Sequence, residues 1–564
     1  MPAQPARGKP PASLLNVVES APAPIGGLNA RDPINAMPPT DAYNLINWIP
    51  QQYGVRVRKG YTDWATGMDG PVTTVMSYFP HYATIPSNLS LATLPETLPG
   101  QVFGVTDTNI FDITTRGAVG TPVRHMSGIQ NAASITWHMF TNAAGSFLMC
   151  CSETDGYFFY DGTAWQYPTE GTGTGQIISG SPEYTCDPHN FCYVLPWNHR
   201  LYFIEKNTSH IWYLATDAIY GTATVFDVGP LLKHGGSLAW LYNWTIDAGG
   251  VINNYLVICG EMGDILIYGG QDPANPAGFP PFQIMGEWYV GPVPKGRDGF
   301  EQIGGDLVIL STMGIYPLSQ VTRGGAQVLQ ATGKEYTTKI QNMLNHDVQS
   351  TFNMYGWHLH LIPQENILLV TVPNVTGIFD NQYALQLVVN EWTILQGIEM
   401  QAIDNIAGYT FVGASDGEVQ VAFFGNQDDV QIGQTLGNPI YGLIQPAFSY
   451  FDRKEPDLRG RFKHFLLVRP TFLSTQMPSV ETFMNVDFQK TVPAVSPAAS
   501  TQQGSLFDSA LWDRGVWGGD YNTYQDWLDA EGIGFAGSLS MATYTSADTV
   551  LTSIDYMFEA GGSL

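Results

Sequence analysis

The sequence predicts an all-β chain built on a β-propeller. Three observations carry that prediction: a strand–turn–strand unit recurring about every 50 residues, a turn-rich composition poor in charge, and a repeating region without internal linkers. The clearest unit is 147–165, FLMCCSETDGYFFYDGTAW, in which apolar runs meet Asp155-Gly156 and then Asp161-Gly162. Asp-Gly readily adopts the positive backbone dihedrals of a tight hairpin, so short strands joined by tight turns are expected there. Comparable turn markers stand at Asp107, Asp155, Asn207, Asp264, Met313, Glu365 and Asp416, separated by 48, 52, 57, 49, 52 and 51 residues. Each lies between β-rich runs, such as 201–204 and 211–214, or 307–310 and 315–318. A lone hairpin is barely stable, so such units are expected to stack around an axis. About seven blades are expected over residues 61–440, and six or eight also suit the spacing. A row of β-sandwich modules is the competing architecture. It would need a linker every hundred residues or so.

The chain has 564 residues, too many for one ordinary core unless a repeat absorbs the length. Charged residues make up 13% and aromatics 12%, with 60 glycines and 37 prolines, the profile of a turn-rich β protein rather than a disordered one. The formal net charge is −26, which argues against a broad grip on a phosphate backbone. It suits a surface past which nucleic acid slides, or simply solubility. The five cysteines, Cys150, Cys151, Cys186, Cys192 and Cys259, have no framework spacing, so reduced thiols in a cytoplasm are expected. No signal-type apolar core opens the sequence and no run of 18 apolar residues occurs, so neither secretion by that route nor a membrane span is expected.

In chain order, residues 1–60 read as an extended arm followed by a docking segment. The Pro/Ala-rich 1–24 should order only against something else. Residues 25–61 should be irregular, ending in a strand at 55–57 that closes the propeller by pairing with its last blade. Thr337, Ile340, Met343 and Leu344 form an apolar stripe that predicts one helix on a blade connection. Beyond residue 440 the period is lost. Strands are expected at 462–473 and 480–488 and a linker at 493–504. A turn-rich stretch with Trp512, Trp517 and Trp527 follows. Residues 441–564 thus read as a separate β domain packed on the propeller.

Several segments carry a resemblance in a shared order. They are GGLNARD (26–32), MPPTDA (37–42), NWIP (47–50), VRVRKGY (55–61), FFYDGTAW (158–165), NHRLYFIEKN (198–207), TIDAGG (245–250), GGDLVILSTMGIYPLS (304–319), ALWDRGVWGG (510–519) and IDYMFEAGG (554–562). In these the chain resembles the tail nozzle proteins of short-tailed bacteriophages, also called tail tubular protein B or packaged-DNA stabilisation proteins. The resemblance implies a virion structural protein assembled as a homo-hexamer below the portal adaptor. Genomic DNA would pass along the central channel, and tail fibres or spikes would bind nearby. It further implies a subunit or adaptor interface in the docking segment, at Asn29, Arg31, Asp32, Pro38, Asp41, Trp48, Arg56 and Arg58.

The residues themselves point to no reaction and no cofactor. Cys186, His189 and Cys192 offer metal-type ligands, but a structural zinc needs four and no second pair stands at suitable spacing. His358 and His360 share one face of a strand and lack a third ligand nearby. GTGTG at 171–175 lacks the spacing of a phosphate loop. The basic stretch 453–463 is diluted by Glu455 and Asp457. Two other classes stay open: a propeller glycosidase or depolymerase, which needs paired carboxylates at the ring mouth, and a receptor-binding module.

Overall fold

The computed structural model describes residues 16–80, 93–247, 252–276, 280–326, 335–373, 381–453, 456–494 and 521–563. Residues 1–15 of the expected arm, most of the 493–504 linker, and Trp512 and Trp517 lie outside the described residues. The chain divides into two compact units, a larger one of 59–390 and 395–437 and a smaller one of 1–58, 391–394 and 438–564. The docking segment and the C-terminal part, read from the sequence as separate, lie in the same unit.

The larger unit is a β-propeller. Antiparallel sheets repeat along the chain, as in Ile135–Asn142, Gly145–Ser152, Gly156–Tyr160 and Trp165–Gln166, where Cys150 pairs with Trp137 on one side and Phe158 on the other. The first strand of each sheet neighbours the first strand of the next. The order runs through Thr74–Tyr78, Ile135–Asn142, Phe191–Trp197, Leu238–Asp247, Phe300–Ile303, His358–Ile362 and Ala402–Ile406, and the last returns to the first. A closed cycle of first strands, each leading outward into its own sheet, is propeller geometry.

Alternation along a strand supplies the cores between sheets. In Gly145–Ser152, Leu148 and Cys150 face the cluster of Met76, Phe103 and Phe158, whereas Met149 and Cys151 face that of Tyr157, Val194 and Phe203. One strand thereby serves both neighbours. The Asp155-Gly156 turn is required sterically as well: Gly156 has φ of 74°, and a Cβ there would stand 2.4 Å from the Cα of His189.

The propeller closes with a different strand from the one expected. Tyr61–Thr66 pairs antiparallel with Val419–Ala422, placing a strand from the start of the chain in the last sheet. Trp64 anchors it, fully buried, its indole N–H donating to the carbonyl of Ile113 at 2.7 Å and its ring edge-on to Phe411. The expected closure, 55–57, belongs to Gly54–Val57, which pairs with Trp48–Gln51 through a two-residue turn and with Thr549–Ser563 in the smaller unit. Its backbone groups are satisfied there.

The repeat markers also need one correction. Asp107, Asp155, Asn207, Met313 and Asp416 fall between the second and third strands of their sheets, and Asp264 opens a third strand. Glu365 instead lies in the first hairpin, between His358–Ile362 and Ile367–Thr371. The expected helix is Gln341–Thr351, with Thr337 and Ile340 in the turn before it and Leu344 and Val348 buried. A second, short helix spans Leu318–Gly324. Among the described residues no helix is long and apolar enough to cross a membrane.

The smaller unit holds two antiparallel systems. In one, Thr549–Ser563 pairs with Arg461–Ser474, with Gly54–Val57 and with the arm strand Asn16–Pro22. In the other, Asn438–Pro446 joins Ala42–Ile46 to Gly537–Thr545, which carries Ser479–Val486 on its far side. Phe465 of the first lies against Gly537 of the second, and Trp48 against Gly442. The arm was expected to order only against something else; its residues 16–22 order against the chain's own last strand. Asp555 fastens them, accepting from the Ser20 hydroxyl and from Arg469 at 2.7 and 3.0 Å. Lys463 is fully buried and donates to three carbonyls, those of Leu458, Arg461 and Phe535. Burial lowers its pKa.

Candidate functional site

Two places gather polar side chains, the docking segment in the smaller unit and the axis of the propeller. In the docking segment Asn29 is the hub. Its amide nitrogen donates to Asp41 at 2.7 Å and Asp32 at 2.9 Å, and its amide oxygen accepts the backbone N–H groups of Arg31 and Asp32. Gly27 adopts φ of 67° beside it, and a Cβ there would stand 2.7 Å from the carbonyl of Trp392. Arg58 donates to the side-chain oxygen of Asn47 at 3.0 Å, and Trp48 packs against Phe472.

Of the eight residues named for an interface, Asn29, Asp41, Trp48 and Arg58 are buried inside the unit, Asp32 and Arg56 are partly buried, and Arg31 and Pro38 are exposed. Arg31 lies flat on Asp32 through two bonds of 2.8 and 3.0 Å. The buried four hold the segment in shape. The exposed pair stands on its surface.

At the propeller axis the first strands converge on two adjoining cavities, of about 220 and 270 Å³. His138, Glu301, His360 and Asp404 line the first, and Asp298 and His358 line both. His358 Nδ1 stands 3.4 Å from Asp298, and His360 Nδ1 stands 3.6 Å from Glu301. The Asn405 amide donates to Leu361 O at 2.7 Å and lies 3.0 Å from His360 Nε2, so that nitrogen accepts and the ring proton sits on Nδ1, toward Glu301. Burial pushes the Asp404 carboxyl up to about 8, helped by Asp298 and Glu301, and pushes Glu301 up to about 7 against two backbone amides that favour its charged form. Burial lowers His138 and His360 to about 4. Burial thus favours the neutral forms of Glu301, Asp404, His138 and His360 although the whole chain is strongly acidic.

Beside the second cavity, Glu153 and Arg297 form a buried two-pronged pair with contacts of 2.9 to 3.2 Å. Arg297 also donates to the carbonyls of Leu238 and Ala239, and Lys206 donates to the carbonyl of Glu153. Glu153 follows Gly145–Ser152 and Arg297 precedes Phe300–Ile303, so the pair ties sheets that are not neighbours in the ring. The cavities beside it are far too small to admit a nucleic-acid duplex.

The sequence pointed to His358 and His360 by their alternation, and the structure brings them together with groups the sequence did not single out. Asp298, Glu301 and Asp404 are three among 50 acidic residues, with no local pattern to mark them. Cys186 and Cys192 are buried, and burial pushes both thiols up, Cys186 to about 12 and Cys192 to about 11. Among the described residues no group of three or more His, Cys, Asp or Glu side chains is placed to hold a metal ion.

No family model matches the chain, and no curated protein does. Solved structures do. The computationally designed Ika8 protein is 12% identical, over 64% of this chain and 99% of its own, with a TM-score of 0.32. YCF48 from Cyanidioschyzon merolae is 10% identical over 64% and 98%, with a TM-score of 0.33. BBS1N, solved in complex with ARL6DN, is 10% identical over 65% and 98%, with a TM-score of 0.35.

Proposed function

We propose that this chain is a structural protein of a short-tailed phage virion, of the tail nozzle type. In this reading copies form a six-membered ring below the portal adaptor, retain the packaged genome and guide its ejection, with tail fibres or spikes attached nearby. The protein works without catalysis or cofactor. The observation that carries the reading is that the resembling segments run through both compact units: 26–32, 37–42, 47–50 and 554–562 in the smaller, and 158–165, 198–207 and 304–319 in the propeller. A part specialised for assembly beside a repeat scaffold suits a ring-forming subunit. Small axial cavities with a buried ion pair beside them suit a conduit formed between copies rather than through one chain. The cycle of first strands supports counting seven blades. Arg31, Asp32 and Pro38 offer the accessible part of the interface.

Electron microscopy of the purified protein with its adaptor tests this directly. A hollow six-fold annulus docked on the adaptor is expected; particles that stay single in its presence would sink the reading. A second reading, cleavage of a polysaccharide, is favoured by one observation, the raised Glu301 and Asp404 carboxyls on a shared cavity. Release of reducing ends from host polysaccharide, abolished by Glu301→Gln, would support it.

A further inference from the structure

Away from the axis, the propeller carries an aromatic groove. It lies between Asn109–Asp112 and Arg124–His125 of one sheet and Gly156–Tyr160 and Trp165–Gln166 of the next, and encloses about 640 Å³. The Trp165 ring stands 5.0 Å from Tyr160 and 5.3 Å from Phe103. Tyr167 is 45% exposed yet held in place. The buried Arg124 guanidinium lies between it and Phe158, 4.4 and 3.5 Å from the two ring centres, and donates to the Tyr167 hydroxyl. Trp165 is positioned from the other side, because Asp161 accepts the amides of Thr163 and Ala164 at 2.8 and 2.7 Å and fixes the turn before it. At the rim, Asp112 accepts the Thr114 amide at 2.9 Å and His125 Nδ1 lies 2.6 Å from Asn109. Both rim groups are oriented and reachable.

We propose that this groove binds a neutral oligosaccharide of two or three sugar units. A sugar ring offers a C–H face that stacks on aromatic side chains and an edge of hydroxyls that pairs with fixed polar groups, and the groove presents both. The volume falls within the range of small-ligand sites. An apolar peptide would cover Asp112 and His125 without pairing them. An anionic ligand would meet Asp112 and Asp161, while the guanidinium in the wall is already engaged by two rings and by Asp155 at 3.9 Å. The site is independent of the nozzle reading, which stands or falls on assembly.

The test uses the full chain with maltotriose, cellotriose and chitotriose at millimolar concentration, read by saturation-transfer NMR and tryptophan fluorescence. At least one trisaccharide is expected to bind. Trp165→Ala and Tyr167→Ala should each weaken it about tenfold or more, a loss near 1.4 kcal/mol, with Leu436→Ala, at an exposed site elsewhere, unchanged. Tyr167→Ala removes a half-exposed ring and with it one partner of the buried Arg124, so the melting curve of each variant is recorded and binding is compared at a temperature where parent and variant are both fully folded. No binding by any of the three, or binding undiminished in both groove variants, overturns the proposal. So does tighter binding of a sulfated trisaccharide.

Discussion

The two units reach β structure by opposite routes. In the propeller most strands pair with the next strand in the chain, and Tyr61–Thr66 on Val419–Ala422 is the long-range exception that shuts the ring. In the smaller unit distant pairing is the rule: Val17 faces Phe558, Trp48 stands against Gly442, and Ala42–Ile46 lies along Asn438–Pro446. Local pairing closes short loops at little entropic cost, whereas distant pairing must wait until most of the chain is in place. The propeller should therefore form early and depend on its closure. The smaller unit should form late and depend on what fastens its ends.

The largest effects should come from the two buried tryptophans that anchor these routes. Trp64→Ala should open the propeller and Trp48→Ala the smaller unit, each by about 3–5 kcal/mol. Hydrogen exchange read by mass spectrometry should place each loss in its own unit, and a loss spread evenly over both would break the contrast. Arg297→Ala comes next, leaving the buried Glu153 with only Lys206, 3.8 Å away, at about 3 kcal/mol. Replacing both partners with apolar residues should recover much of that in calorimetry. A smaller effect, about 1–3 kcal/mol, is expected from Asp555→Ala, which frees Arg469 and Ser20 together. Faster proteolysis within Asn16–Pro22, with the propeller unaffected, is the expected readout.

The smallest effect is a pH slope confined to the propeller. Folded Asp404 keeps its proton up to about 8, while the unfolded chain releases it near 3.8, so this group makes stability fall as pH rises through that window. His138 and His360 act the other way between about 4 and 6.5, where the unfolded chain binds protons that the folded chain refuses. Above 6.5 the carboxyls act alone and stability should decline toward pH 8. Asp404→Asn should flatten that decline and raise the melting midpoint at pH 8 by a few degrees. An unchanged slope would show that the axial cluster does not govern it.

Much of the propeller was legible because its information is local. Asp155-Gly156 dictates a turn wherever it stands, and the runs around it alternate as strands must. Glu365 shows the limit: a turn marker at the right interval lies in the first hairpin of its sheet, because spacing alone does not say which pair of strands a turn joins. Val55 to Val57 shows another, since an apolar strand near the start of a ring protein can join either unit, and its hairpin with Trp48–Gln51 decided. In the docking segment the order of motifs was visible, but not that Asn29, Asp41, Trp48 and Arg58 face inward.

By itself the sequence determined the class of the fold, the rhythm of its turns and the low charge density of its strands, since each depends on neighbours a few residues apart. Only the tertiary structure decided which strand shuts the ring, that residues 16–22 pair with the last strand, and that His360, Glu301 and Asp404 share one cavity. Those outcomes turn on burial and on partners tens to hundreds of residues away, and burial sets both a carboxyl's proton affinity and whether a tryptophan serves as anchor or contact surface.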